Sequence, residues 1–404
     1  MSPFRGRLYA VSCAAMFVFG MILGLPGTVL GQPATVERFG LTLADRGMLI
    51  STLFFGLLVG SLASGPLVGA IGQRAALALS SGLAALCLPL FAVAGNAVLA
   101  AAALGAIGLA SASVNTASNA LASELYPEER ARRMNGLGVM FGLGGLAMPA
   151  ATVLASDLVS WRAVVVAGGA LSAVVSVTSA RMGPTGNATS ASGTTRGGEG
   201  LSTVSALTAL RYFARQPGFF WLCLLVMLGG GNEAAMAGWT SSFLLASGFS
   251  AAASTWILST HWLGLVLSRL LFSSHVDRAK AAAIERSAVA GALLLLILVT
   301  AEEPVVLAVG PFAIGMAIAL VMPTSLALAG EHMSGNSGAL FGVLLTLAQV
   351  GGMVLPASVG LVAEHTGVGP GLALLVGTCG LIALVVRHAS RSVFDGYRAV
   401  PKDE

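Results

Sequence analysis

Apolar residues recur in runs of about twenty along the whole chain, separated by short stretches rich in charge, glycine and proline. The runs predict twelve membrane-crossing helices at roughly 8–30, 46–71, 75–94, 97–123, 135–156, 160–180, 218–245, 251–275, 283–300, 303–329, 337–361 and 367–388. Period-2 alternation is absent, so helices rather than barrel strands must satisfy the backbone in lipid. The expected fold class is an all-α membrane protein.

Composition agrees with the pattern. Of 404 residues, 56% are hydrophobic and only 9% charged, against about 25% charged in a soluble domain. The net charge of +4 is not gathered into a surface that nucleic acid would need; the basic residues read as topology signals. With the amino terminus inside, 17 of the 21 Lys and Arg are cytoplasmic: Arg5, Arg7, Arg74, Arg130, Arg132, Arg133, Arg181, Arg196, Arg211, Arg215, Arg278, Lys280, Arg286, Arg387, Arg391, Arg398 and Lys402. Three, Arg38, Arg46 and Arg162, fall outside, and Arg269 lies within a helix. The asymmetry predicts a multi-pass protein of the cell (inner) membrane with both termini cytoplasmic. Arg5 and Arg7 precede a run too long for a signal peptide, which reads as a retained first helix. Cys13, Cys87, Cys223 and Cys379 occupy separate apolar segments with no paired spacing. Neither a disulfide framework nor a metal site is expected, and no cofactor.

Between the sixth and seventh runs lies the one long connection, residues 182–217. Its first part, MGPTGNATSASGTTRGGEG from Met182, reads as a flexible linker. The following LSTVSALTALRYFARQ reads either as a short interfacial helix, with Leu201, Val204, Leu207 and Leu210 on one side, or as a disordered extension. The linker separates a six-helix set over 1–181 from a second over 218–404, and the sets are alike. Gly108 to Glu124, GLASASVNTASNALASE, matches Gly315 to Glu331, GMAIALVMPTSLALAGE, at nine of seventeen positions. The same offset superposes Gly144, Gly145 and Pro149 on Gly351, Gly352 and Pro356. Ser51, Thr52, Gly56 and Leu57 align with Ser259, Thr260, Gly264 and Leu265. The chain reads as a tandem duplication of two pseudo-symmetric six-helix bundles in the same orientation.

Two parallel six-helix halves joined by a cytoplasmic linker resemble the major facilitator superfamily over nearly the whole chain. The resemblance implies a solute site near the midplane between the halves and access that alternates as one half rocks against the other. The family's loop signature between helices two and three is partly kept in GPLVGAIGQR, with Arg74 at its end, but Gly69 stands in the acidic place and Ala70 in the next basic one. The second half offers Arg269, Asp277 and Arg278 for a cytoplasmic ion network; Arg269 either snorkels toward the cytoplasm or pairs with a facing polar group, and it and Arg74 are read as structural. The antiporter signature on helix five is not met, since Met148 precedes Pro149 and Thr152 and Val153 follow. Gly231, Glu233, Gly238 and Trp239 resemble helix seven of the fucose, glucose and galactose symporter branch, and the two GGxxxP stretches are also similar to it. GMILGLPG, Gly20 to Gly27, departs by carrying no acid.

Candidate chemistry centres on Glu233, a carboxylate placed at mid-membrane. A charge there costs roughly 2.5–3.5 kcal/mol, so it needs a partner, a water-filled cavity or a proton. The functional reading is a proton carrier; the bland one is a permanently paired or protonated glutamate joining helices. Gly229, Gly230 and Gly231 either break the helix, freeing carbonyls for solute or ion, or allow close packing. With Gly144, Gly145, Pro149, Gly351, Gly352 and Pro356 they are the candidate hinge positions. Asn115, Asn119, Asn232, Trp239, His261 and Gln349 are candidate solute-binding groups, each weighed against interhelical hydrogen bonding, aromatic anchoring or packing.

The leading expectation is a monomeric, proton-coupled secondary transporter of a small polar solute, a sugar or polyol preferred, with lipid, solute and proton as its partners. The alternative is efflux of an amphipathic metabolite or drug by proton antiport, suited by a lining rich in Met and Phe. An enzyme is not expected: the sequence offers no phosphate-cradling loop, His and Cys ligand cluster or mid-membrane acid pair.

Overall fold

The computed structural model describes residues 3–126, 128–156, 160–182, 206–272, 279–333 and 337–390. Helices account for the regular structure among these residues: α1 (Pro3–Val29), α2 (Pro33–Phe39), α3 (Leu43–Ile71), α4 (Gln73–Val93), α5 (Ala97–Leu125), α6 (Arg130–Leu154), α7 (Trp161–Arg181), α8 (Ala206–Phe213), α9 (Phe219–Ala246), α10 (Ala251–Phe272), α11 (Lys280–Thr300), α12 (Pro304–Ile318), α13 (Val321–His332), α14 (Ser337–Thr366) and α15 (Val368–Ala389). The chain is an all-α membrane protein. Eleven described helical segments are long and apolar enough to cross a bilayer, α12 and α13 counting together as one of them. Helix α10, as long as several of these, carries Ser254, Thr255, Ser259, Thr260, His261, Ser268 and Arg269 and is the twelfth crossing expected from the apolar pattern.

Large apolar side chains remain exposed on many helices, among them Leu86, Val98, Phe220 and Leu384. Helices apolar all round suit surroundings that are themselves apolar. The linker stretch 183–205 lies outside the described residues, as do Asp277 and Arg278. The eight-residue α8 occupies the end of the connection, so Leu207 and Leu210 are helical, while Leu201 and Val204 lie outside the described residues. The short α2, absent from the sequence reading, begins with Pro33 in its first turn and stops at Gly40, whose φ of 61° ends the helix.

The chain forms two compact units, Met1–Leu41 with Thr52–Thr203, and Thr42–Ser51 with Val204–Glu404. Helix α3 belongs to both. Its first turn is capped within the second unit by Glu364, whose Oε2 accepts from the backbone N–H of Leu43 at 2.8 Å and of Ala44 at 3.1 Å. Farther along, Gly56 and Gly60 press against α5 in the first unit.

Each unit is held by helix crossings at which only glycine fits, and the crossings repeat. A Cβ on Gly56 would overlap the Gly105 carbonyl oxygen, and one on Gly264 the Phe312 carbonyl oxygen. The same holds for Gly108 against Leu53 and Gly315 against His261, and for Gly144 against Phe17 and Gly351 against Met227. Backbones in direct contact at equivalent places are the structural form of the duplication. In the second unit the core is a cluster of Leu222, Leu225 and Val226 on α9 with Leu328, Leu344, Ile382 and Val386 from α13, α14 and α15.

One difference between aligned helices falls beside a proline. α5 runs unbroken from Ala97 to Leu125, whereas its counterpart stops at Ile318 and resumes at Val321. Pro323, in the first turn of α13, stands where α5 has Thr116. Lacking an N–H, it cannot bond the Ala319 carbonyl four residues back. The Thr324 N–H still bonds Leu320 at 3.1 Å, so the interruption is local.

Candidate functional site

Glu233 lies at the middle of α9, which passes through Gly229–Gly231 without interruption. Sequence reading allows a break there; the structure has none, because the three glycines receive neighbouring helices. A Cβ on Gly229 would lie 3.1 Å from Val321 Cγ1, one on Gly230 3.1 Å from the Ala348 carbonyl oxygen, and one on Gly231 2.8 Å from that of Gly351. Close packing therefore accounts for the glycine series.

The partner that Glu233 requires is Arg269. One guanidinium nitrogen, Nη2, donates to both carboxylate oxygens, at 3.1 Å to Oε1 and 2.9 Å to Oε2. Neither side chain is fully enclosed: Arg269 is 28% exposed and Glu233 18%. Asp277 and Arg278, expected to share a cytoplasmic ion network with Arg269, lie outside the described residues. The tilt of helical side chains toward the helix N-terminus carries a long side chain near the end of α10 back toward mid-helix.

The same guanidinium has a second acceptor. Its Nε lies 3.4 Å from the Ala319 carbonyl oxygen, the one that Pro323 leaves without its helical donor. Arg269 thus joins α9 to the interruption between α12 and α13 in one planar group. Sequence reading misses this junction, although a signal is present: within the aligned repeat, Pro323 opposes Thr116, and the carbonyl freed by a proline is always four residues earlier.

The remaining candidates separate by burial. Asn232 is buried; its Nδ2 donates to the Leu228 carbonyl at 2.8 Å and its Oδ1 accepts from Thr378 Oγ1 at 3.0 Å. Trp239 is fully buried, with Nε1 donating to the Pro356 carbonyl at 3.1 Å. His261 is fully buried with Nδ1 3.0 Å from the Pro311 carbonyl oxygen. All three are enclosed by neighbouring helices, and the buried Nε2 of His261 has no hydrogen-bond partner among the described residues. Asn115, Asn119 and Gln349 remain half-buried. Asn119 Nδ2 donates to the backbone carbonyl of Asn115 at 2.9 Å and to its Oδ1 at 2.8 Å, which leaves the Asn115 amide nitrogen and the Asn119 oxygen to address other groups. Arg74 is half-buried in the first turn of α4, next to Gly72, whose φ of 80° makes the tight turn from α3.

Pro149 and Pro356 sit inside continuous helices. A Cβ on Gly24 would lie 2.8 Å from the Gly145 carbonyl oxygen, freed by Pro149. On α14, Gly351 and Gly352 are both buried. A cavity of about 10 Å³ in the first unit, lined by Ser81, Ser111 and Ser172 among apolar neighbours, holds about one water. No group of three or more His, Cys, Asp and Glu able to hold a metal ion occurs among the described residues.

Residues 12–390 match the family model of the Major Facilitator Superfamily. The chain belongs to that superfamily. As a superfamily member it is a membrane transporter rather than an enzyme. Similar solved structures include an inward-facing, unoccupied bacterial homolog to the human lysosomal transporter Spinster, at 15% identity and a TM-score of 0.75, covering 98% of each chain. The nucleoside transporter NupG is similar at 15% identity and a TM-score of 0.74, covering 96% of this chain and 98% of its own. A mutant form of NupG gives the same TM-score over 94% of this chain and 99% of its own. At such identities the likeness is one of fold. No curated protein sequence is significantly similar to the chain.

Proposed function

We propose that this superfamily member is a proton-coupled secondary transporter of a small polar solute, a sugar or polyol preferred, with Glu233 as the proton site. The observation that carries the reading is the Glu233–Arg269 pair at mid-height of α9. An ionised carboxylate there is stabilised by the guanidinium; a protonated one no longer needs it. Proton and arginine therefore compete for one group, and two states of the same helices differ in a contact that a proton controls. Arg269 also has the Ala319 carbonyl to bind when Glu233 is neutral.

Solute contact belongs in this reading to Asn115, Asn119 and Gln349, which present both donors and acceptors as a polyhydroxylated molecule requires. The halves 1–181 and 218–404, joined through 182–217, alternate in access, and the excess of Lys and Arg in one set of loops supports cytoplasmic termini in the inner membrane. Resemblance of Gly231, Glu233, Gly238 and Trp239 to the fucose, glucose and galactose branch supports the sugar preference.

Uptake into proteoliposomes over hexoses, polyols and nucleosides, with and without an imposed pH gradient, tests the proposal for the wild type and Glu233→Gln. Gradient-driven accumulation of a hydroxylated solute that disappears in Glu233→Gln is the expected result. Accumulation unchanged by the substitution refutes the proton assignment. Saturable binding of a hydrophobic cation, with no response to any hydroxylated solute, replaces sugar uptake by efflux.

A further inference from the structure

The carboxylate of Glu233 and the carbonyl of Ala319 come from different elements, α9 and the interruption between α12 and α13, and both face one guanidinium. Neither helix supplies the other's counterpart. The carbonyl is available because residue 323 is proline, and in the aligned stretch of the first unit, where residue 116 is threonine, the helix is continuous. A carboxylate and a helix-break carbonyl are the ligand types that hold cations within broken membrane helices. Here the cation is tethered to the chain.

We infer that Glu233 and Ala319 form a guanidinium-binding site that Arg269 fills from within, and that Pro323 is a positioning residue that gives the site its second acceptor. The planar fork suits the site because Nε and Nη2 point to separate oxygens; an ammonium is a single point charge and cannot reproduce that division. Resting on the transport reading above, the site also has a role in the cycle. When Glu233 takes a proton, the carbonyl retains Arg269 near α9, so the pair reforms when the proton leaves. Arg269, Ala319 and Pro323 thus act as one unit beside the proton site.

The test removes the tethered cation and supplies a free one. In purified Arg269→Ala, methylguanidinium at millimolar concentration should raise the melting temperature and restore part of the lost solute uptake, while tetramethylammonium should do neither. Adding Pro323→Thr returns a helical donor to the Ala319 carbonyl and should weaken the apparent methylguanidinium affinity about threefold to tenfold, the span of one ordinary hydrogen bond. Methylguanidinium acting no better than tetramethylammonium overturns the site; an affinity untouched by Pro323→Thr overturns the part given to the carbonyl. If Arg269→Ala does not fold, the cycle of Arg269→Lys and Pro323→Thr decides. Losses of melting temperature that fail to add support one unit, and additive losses refute it. The melting response involves no transport, so it supports the site even where wild-type uptake ignores a pH gradient and the proton reading alone falls.

Discussion

Gly144 in the first unit and Gly351 in the second each meet a backbone carbonyl, of Phe17 and Met227, at equivalent places in their repeats, yet the helices that cross there differ in chemistry. By the contacts the units share, Leu23 stands where the second unit has Glu233, Ser61 where it has Arg269 and Thr116 where it has Pro323. The charged groups described for the first unit gather near helix ends. Arg133 pairs with Glu129 at 3.0 Å and lies over the Tyr126 ring at 4.2 Å. The second unit places a carboxylate, a guanidinium and a freed carbonyl together at mid-helix. The scaffold was duplicated and the chemistry was not. Close glycine crossings maintain the fold in both units, and the mid-helix chemistry lies where the repeats differ.

The comparison breaks most visibly at the ion pair. Arg269→Ala leaves the Glu233 carboxylate without its cation, and the expected outcome is loss of gradient-driven uptake with about 1–2 kcal/mol less stability, measured by thermal unfolding in detergent. That figure is below the 3–5 kcal/mol of a fully buried pair because both groups are partly exposed. Moving the interruption into the other unit is a comparably severe change: Thr116→Pro should cost about 3 kcal/mol, since a mid-helix proline removes a bond and no arginine stands ready for the freed carbonyl. Proteolytic resistance of the purified protein reads that loss.

Alanine at the shared crossings sharpens the likeness between the units. Gly144→Ala and Gly351→Ala should each destabilise by about 1–3 kcal/mol, and by similar amounts, because the added carbon meets a backbone carbonyl in both. Unequal melting shifts would show that the repeats share shape without sharing energetics. The smallest effect belongs to Trp239→Phe, which loses the bond to Pro356 and about 1 kcal/mol. The solute concentration for half-maximal uptake should stay unchanged, as befits an enclosed side chain.

Most of the fold is legible in the sequence because lipid imposes a simple rule: each apolar run must be a helix long enough to cross. The expected run at 218–245 became α9 at Phe219–Ala246, and that at 367–388 became α15 at Val368–Ala389. The run at 303–329 proved to be two helices, a local interruption that hydropathy does not register. The site was legible in part. Glu233 stands out by composition, but its partner is 36 residues away on another helix, and depth along α10 does not by itself say how far the tilt of the side chain carries the guanidinium. Asn232, Trp239 and His261 are polar residues in apolar helices, and sequence periodicity does not say whether such groups meet solute or a neighbouring helix. Asn232 and Trp239 turn their polar atoms to Leu228, Thr378 and Pro356, and His261 turns Nδ1 to Pro311 while its buried Nε2 has no partner among the described residues.

Proton movement that accompanies solute is directly measurable. Proteoliposomes loaded with a pH-sensitive dye, and given a solute gradient but no initial pH difference, should report an internal pH change that tracks solute entry in the wild type. Glu233→Gln should still exchange solute while producing no pH change. Proton movement that persists with solute in Glu233→Gln would contradict the assignment of the proton to the carboxylate that Arg269 holds.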